Sequence, residues 1–417
     1  MSNFLIGSLA VLLLVIFILL FRVQSLVSIV RGSDKNPGGL LNKFNAGMFL
    51  FITVAGLIGF FWYSFGHKES YMLPEASSLH GIETDKLFWF SMAIISIVFL
   101  LVNIVLFVFA YKYQYKKDRK ATHFAHNNQL ELIWTIIPAI VLTYLVFNGW
   151  KEWTNITDTP TEQEQEEAVQ LEIVGQQFAW SVRYPGADGK LGKHDFTNID
   201  GTNSFGLILE DKASLDDFMP RKIYLPKGKK VQFKIRAKDV LHSVFAPHFR
   251  LKMDAVPGMP TQFWFTPTKT TQEMRNQLAL DPAYQKEVDG IKRHENFNYE
   301  LACTEICGRG HFSMRMEIVV LEPDEYEEWY EEQTAWSVDN KDYILDEIAE
   351  NGADQSMVDE YNSYIDSLDP ESSKVAAPNN TGKDNRPSTA VKKNDHIVNG
   401  NLANDIPFVL KLITVTM

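Results

Sequence analysis

The chain has 417 residues, 46% of them hydrophobic, with 52 acidic against 40 basic side chains and a formal net charge of −12. That length leaves room for more than one structural unit, and the acidic balance offers no surface suited to nucleic acid. The first 150 residues hold several long uncharged runs, whereas the sequence after Lys151 reads as soluble and acidic, so the chain is built for two environments, lipid and water. Crossing the hydrocarbon core takes roughly 20 mainly apolar helical residues, and four stretches meet that length: 4–21, 46–65, 87–111 and 132–150. The last contains Pro138, which a soluble helix tolerates poorly and a membrane helix accommodates through its neighbours.

The connecting segments give the orientation. Arg22, Arg31, Lys35 and Lys43 follow the first span, and Lys112, Lys116, Lys117, Arg119 and Lys120 follow the third, so both loops are expected in the cytoplasm. The region after Trp150 then lies on the opposite side, periplasmic in a bacterium. MSNFLIG lacks a basic start, and no clear small-residue cleavage site follows LLFRVQ, so the first span reads as a retained anchor rather than a signal peptide.

From Val169 the period changes. VQLEIVGQQFAWSVRYP, RKIYLPKGKKVQFKIRAKDV, TQFWFTPT and MRMEIVVLEP alternate apolar and polar residues between Gly, Pro, Asn and Asp punctuation, the pattern of half-buried antiparallel strands in an all-β sandwich or barrel. DKASLDDFMP reads as a loop, and TQEMRNQLALDPAYQKEVDGIKRHEN as a helical insertion between strands. After Pro323 come acidic segments with helical spacing, expected as solvated helices with partner docking the second reading. ESSKVAAPNNTGKDNRPSTAVKKNDH has almost nothing to bury and reads as a flexible linker, and IPFVLKLITVTM is too short to span a bilayer and suits packing on a subunit or sheet edge.

Both cysteines lie in CTEICGRGHFSM, where Cys303 and Cys307 are followed by His311 and Met314. In an oxidising compartment the first reading is a disulfide, but it would close a very small loop and leaves His311 and Met314 unexplained. Thiolate, imidazole and thioether together suit copper and electron transfer rather than Mg²⁺ or Ca²⁺. A mononuclear blue site uses one Cys, so a second thiol points to two coppers bridged by the sulfurs, each needing a terminal imidazole. His311 supplies one. The local reading leaves the other open among His242, His248 and His294.

CTEICGRGHFSM resembles the binuclear copper signature of subunit II of the haem–copper cytochrome c oxidases. DVLHSVFAPHFRLKMDAVPGM resembles that family's first-histidine block, and ELIWTIIPAIV the helix that packs on its catalytic subunit. The resemblance implies a membrane-anchored chain with a cupredoxin-like Greek-key domain. Its ligands would be Cys303 and Cys307 bridging two copper ions, His242 and His311 as terminal imidazoles, and Met314 and the Glu305 carbonyl as weak axial donors. It further implies a Mg²⁺ shared with the catalytic subunit at the Glu305 carboxylate, near Asp254, and a proton-channel mouth at Glu131. Phe178 and Trp180 would fall on the electron-input route. The family usually has tryptophan where Phe178 stands, which leaves Phe178 either on that route, at a changed docking site, or simply packing.

The implied organisation is two extra transmembrane helices (1–66), a two-helix anchor (67–150), the copper domain (151–322), an acidic helical extension (323–370) and a linker with an apolar end (371–417). The implied function is to accept electrons from a periplasmic cytochrome c, or an equivalent haem domain, and pass them to haem in the catalytic subunit I, beside the other oxidase subunits. There O₂ is reduced to water with proton pumping, at the bacterial inner membrane. No Cys-x-x-Cys-His motif is present, so the donor is a separate chain. Three alternatives differ in class. A quinol oxidase subunit would lack the copper ligands, a membrane-anchored copper chaperone should show a βαβ pattern, and a structural Cys₂His₂ zinc module would leave Met314 unused.

Overall fold

The computed structural model describes residues 2–30, 32, 40–66, 75–116, 118–158 and 161–369, which divide into two compact units, one within 1–72 and 87–147 and the other within 73–86 and 148–417. Of the expected features, Arg31, Lys35 and Lys117 and the tail 371–417 lie outside the described residues.

The first unit is helical. It draws on α1 (Ser2–Val30), α2 (Leu40–Gly66), α3 (Leu79–Lys112) and α4 (Asn128–Thr157), the last with Pro138 inside it as expected. Most of their described apolar side chains are exposed, the arrangement of helices solvated by hydrocarbon, whose backbone bonds are made within each helix. Among the described residues three segments are long and apolar enough to cross a membrane: Asn42–Gly66, Leu79–Lys112 and Asn128–Thr157. The expected span 4–21 falls in α1, some of whose side chains lie outside the described residues, and the apolar stretch found there, Leu14–Val30, is shorter. The N-terminus of α4 is capped by Asn127, whose Oδ1 accepts from the Leu130 N–H at 3.1 Å.

The second unit is a β-sandwich. Its strands are β1 (Val169–Gln176), β2 (Ala179–Arg183), β3 (Ile223–Pro226), β4 (Val231–Ala237), β5 (His242–Ala246), β6 (Leu251–Ala255), β7 (Thr261–Phe265), β8 (Glu287–Val288), β9 (Ile291–Lys292), β10 (Tyr299–Cys303) and β11 (Arg315–Leu321). One sheet has the order β2-β1-β4-β7 and the other β3-β11-β10-β5-β6. Alternation sends Val231, Phe233 and Ile235 of β4, and Tyr299, Leu301 and Cys303 of β10, into one shared core. Two pairs, β1 with β4 and β3 with β11, run parallel, which corrects the all-antiparallel expectation. Turn Lys227–Lys230 carries the chain from β3 in one sheet to β4 in the other instead of closing a hairpin.

Three further expectations change. The insertion 271–296 is helical only over α5 (Thr271–Leu278), with a Thr270/Glu273 capping box, and then forms the β8–β9 hairpin. Asp289 and Gly290 turn that hairpin with φ of 54° and 80°, the positive values an Asp-Gly turn adopts. DKASLDDFMP contains a helical turn, Lys212–Leu215, with Leu215 buried. The acidic extension is not simply solvated. Ile344 and Ile348 of α7 (Lys341–Glu350) and Tyr361 and Ile365 of α8 (Gln355–Ser367), following α6 (Pro323–Glu331), form a second core with Phe205, Leu207 and Leu215. Their i, i+4 spacing is a narrow apolar stripe on otherwise acidic helices.

Candidate metal centre

Strand register brings the first donors together. Cys303 ends the core-facing row of β10 and pairs with Val244 of antiparallel β5, so His242, two residues earlier on the same face, is its diagonal neighbour. The loop after β10 then returns, through a helical turn at His311–Ser313, to β11, with the Cys303 N–H donating to the Met314 carbonyl at 3.1 Å. One end of the sandwich therefore gathers a strand start, a strand end and the loop between two neighbouring strands.

The sulfurs of Cys303 and Cys307 are 3.9 Å apart and both thiols are free. A disulfide needs about 2.05 Å, whereas two thiolates sharing one metal at about 2.3 Å each are separated by at most about 4.6 Å. Each sulfur has its own imidazole: His242 Nδ1 lies 3.9 Å from Cys303 Sγ, and His311 Nδ1 lies 3.6 Å from Cys307 Sγ. Met314 Sδ is 3.9 Å from Cys307 Sγ, and the Glu305 carbonyl is 3.2 Å from Cys303 Sγ. His242, Cys303, Cys307 and Met314 are buried, and His311 is half-buried. Two sulfurs, two ring nitrogens, a thioether and a carbonyl are a soft to borderline set that fits copper. Burial, reinforced by neighbouring Cys303, pushes the metal-free Cys307 thiol up to about 11.

A supporting layer fixes the donors. His242 Nε2 lies 2.9 Å from Asp239 Oδ1, which leaves Nδ1 to face the sulfur. Burial pushes the Asp239 carboxyl up, but hydrogen bonds from His242 and from the Gln177 and Val240 N–H groups outweigh it and hold the carboxyl below its ordinary value. The Gln177 side chain donates to the Cys307 carbonyl. Trp180 stands edge-on to His242 with ring centroids 5.9 Å apart. A Cβ at Gly175 would come within 2.9 Å of both rings, so only glycine leaves them their places. Asp239 and Gln177 escape sequence reasoning because neither is a ligand; the Asp-x-x-His spacing before β5 is the one local signal for Asp239.

Phe178 and Trp180 differ in setting. Phe178, 39% exposed, lies against the loop so closely that a Cβ on Gly310 would be 2.5 Å from its ring, whereas Trp180 is buried. Asp254 is exposed on β6 and accepts from Ser243 Oγ at 2.6 Å, and the Glu305 side chain is exposed. Glu131 sits in the first turn of α4. His248, the rival imidazole, lies between the rings of Phe297 and Tyr299 at centroid distances of 5.1 and 5.5 Å, and burial with nearby Arg250 pushes it down to about 4. His294 follows the β8–β9 hairpin, half-buried. Among the described residues, the group whose ligand atoms lie within 4.8 Å of one another is His242, Cys303 and Cys307.

Comparison with known proteins gives concordant matches. Residues 62–151 match the family of the cytochrome c oxidase subunit II transmembrane domain, and residues 169–273 that of its periplasmic domain. The alternative cytochrome c oxidase subunit 2 of Bradyrhizobium diazoefficiens is 30% identical over 252 residues, covering 60% of this chain and 78% of the relative. The cytochrome c oxidase subunit 2 of Cereibacter sphaeroides is 24% identical over 269 residues, covering 62% and 77%. Among solved structures, the periplasmic domain of subunit II of cytochrome oxidase from Bradyrhizobium japonicum is 22% identical, covering 39% of this chain and 91% of its own, with a TM-score of 0.25.

Proposed function

We propose, from the premise that this chain belongs to the cytochrome c oxidase subunit II family, that it is the subunit through which single electrons reach the oxidase. It is then part of an oxidoreductase complex, a membrane protein with a periplasmic domain, and we assign it to the bacterial inner membrane. The observation that carries the reading is the pair of free sulfurs 3.9 Å apart, each with its own imidazole nitrogen within 3.9 Å.

Cys303, Cys307, His242 and His311, with Met314 and the Glu305 carbonyl beside them, would hold two copper ions. The bound pair would supply a one-electron couple whose charge is shared over both metals. The chain's own residues do the rest. Asp239 holds the His242 ring by Nε2, so Nδ1 needs little reorientation when charge changes at the site. Burial of both sulfurs and of His242 excludes water. The exposed edge of Phe178 beside Gly308 and Gly310 offers a surface for a donor, a periplasmic cytochrome c or an equivalent haem domain. Trp180 is buried, with its ring against His242. On the same reading the Glu305 carboxylate, with Asp254 nearby, contributes to a Mg²⁺ shared with the catalytic subunit I, which holds the haem and reduces O₂. Glu131 marks the mouth of a proton channel.

The test is rapid mixing of the purified oxidase with a reduced soluble haem donor. Cys303→Ser should abolish fast oxidation of the donor while the haem of the catalytic subunit stays reducible by a small chemical reductant. Unchanged donor oxidation in that variant would remove the electron-input role.

A further inference from the structure

The sheet β2-β1-β4-β7 carries charge on the face turned away from the core. Alternation along β4 sends Lys234 and Arg236 to that face, and register aligns Glu172 of β1 with Lys234 on one side and with Arg183 of β2 on the other. Glu172 and Arg183 are only 3% and 1% exposed. Both oxygens of Glu172 are taken: Oε2 accepts from Arg183 Nε at 2.9 Å and Nη2 at 2.6 Å, and Oε1 accepts from Arg236 Nε. Arg183 spends Nη1 on Asp217 and on the Gly192 carbonyl.

Three cations, Arg183, Lys234 and Arg236, therefore face two carboxylates, Glu172 and Asp217, and one positive charge is left over. Neighbouring His194 does not change the count, because burial pushes it down and leaves it neutral at pH 7. The surplus resides on Lys234. Its ammonium makes no hydrogen bond or ion pair among the described residues, and burial holds it below the ordinary lysine value even though Glu172 pulls it up. Lys234 lines a cavity of about 490 Å³, and the carboxylate and amide oxygens in the walls are already engaged. Glu172 is filled, and Gln262 Oε1 accepts from Gln232 Nε2 at 2.9 Å. What remains is donor capacity: the Lys234 ammonium, and Arg236 Nη1, since Arg236 spends Nε on Glu172 and Nη2 on the Phe205 carbonyl at 3.4 Å. A half-buried cation without a partner is costly, and donors without acceptors call for a ligand that brings negative oxygen.

Charge and volume narrow the ligand. One surplus positive charge matches one negative charge on the ligand. A carboxylate group alone fills only a small part of a cavity in the size range of small-molecule sites, and Trp153, Met253 and Pro260 wall the remainder with apolar surface. We propose that this cavity binds a small organic monocarboxylate, with its carboxylate on Lys234 and Arg236 and its apolar body against Trp153 and Met253. None of these residues is a donor at the metal centre, and the site is independent of the electron-input reading.

The test is photoaffinity labelling with 4-benzoylbenzoate, a monocarboxylate whose excited ketone inserts into nearby C–H bonds and favours those of methionine. It is done on the purified oxidase and on the full-length chain alone, both in neutral detergent, and read by peptide mass spectrometry. Label should appear on the peptide holding Met253 in both samples, and 2-naphthoate should compete it away while the uncharged 2-naphthamide does not. Lys234→Gln, which leaves no partner unpaired, should lower the labelling about tenfold at limiting probe, the loss of one charge-assisted hydrogen bond, and Lys234→Arg should keep it. Absence of label at Met253, equal competition by the amide, or unchanged labelling in Lys234→Gln overturns the proposal. Labelling of the isolated chain that disappears in the assembled oxidase refutes a free acid in favour of a neighbouring subunit's side chain filling the cavity.

Discussion

Replacing Asp239 with alanine tests how the imidazole of His242 is aimed. Asp239 Oδ2 accepts from the Gln177 N–H at 2.7 Å, and Oδ1 accepts from the Val240 N–H at 2.7 Å and faces His242 Nε2 at 2.9 Å. The carboxylate thus joins the β1–β2 turn, the start of β5 and the fully buried His242 ring. Loss of a carboxylate behind a metal-bound histidine typically lowers metal affinity 10- to 100-fold, about 1.4–2.7 kcal/mol. The two backbone N–H groups can turn to water, because the Asp239 side chain is 34% exposed, so the cost to the metal-free fold should be only about 1 kcal/mol. Asp239→Asn should fall between: its amide keeps one acceptor oxygen but sets an N–H₂ against a donor in either orientation. Copper affinity, measured on the full chain by competition with a chelator, and urea unfolding of the metal-free chain separate the two contributions. An Asp239→Ala chain that unfolds more easily yet holds copper as tightly as the unaltered protein would refute the orienting role and leave Asp239 a turn cap.

Two other substitutions probe the frame around the site. Gly175→Ala sets a Cβ 2.9 Å from both the His242 and Trp180 rings, so overpacking should cost about 1–3 kcal/mol in urea unfolding and lower copper occupancy. Normal occupancy would mean that the rings can shift freely. Glu172 is pushed up by burial, but Arg183 and Arg236 more than offset this and hold it below its ordinary value. Its contribution is therefore complete above the unfolded-state value of about 4.3 and is lost as pH falls through the lower folded-state value. Glu172→Gln should cost about 3–5 kcal/mol at neutral pH by leaving buried arginine charge without its counter-charge, and should flatten that acid limb. An acid limb of unchanged steepness would contradict the assignment.

What the sequence makes legible, and what it hides, follows from the range of the interactions. The alternation of β4 and the long apolar helices are local patterns, and both are present in the structure. The parallel pairing of β1 with β4 is not legible, since a period of two tells which side faces the core but not which strand lies alongside. Asp289–Gly290 is a strong hairpin signal masked by the helix-forming residues on either side. Glu172 and Arg183 read as solvent-facing polar positions, and only the fold reveals that they are buried and paired. At the candidate centre the loop donors lie within twelve residues of one another, so their chemistry can be read directly, whereas Asp239 and Gln177 act across gaps of three and 130 residues. Local reading favours His242 over His248 only weakly, by its place beside a strand, and the resemblance decides between them. In the structure His242 faces Cys303, while His248 is enclosed by Phe297 and Tyr299.

The most direct test of the account is metal analysis combined with electron spin resonance on the full-length chain purified from copper-replete membranes. Two copper ions per chain, with one unpaired electron shared equally between two copper nuclei and lost on Cys303→Ser or Cys307→Ser, is the predicted result. A single zinc, or one copper with its electron confined to one nucleus, would contradict the binuclear centre and with it the electron-input role.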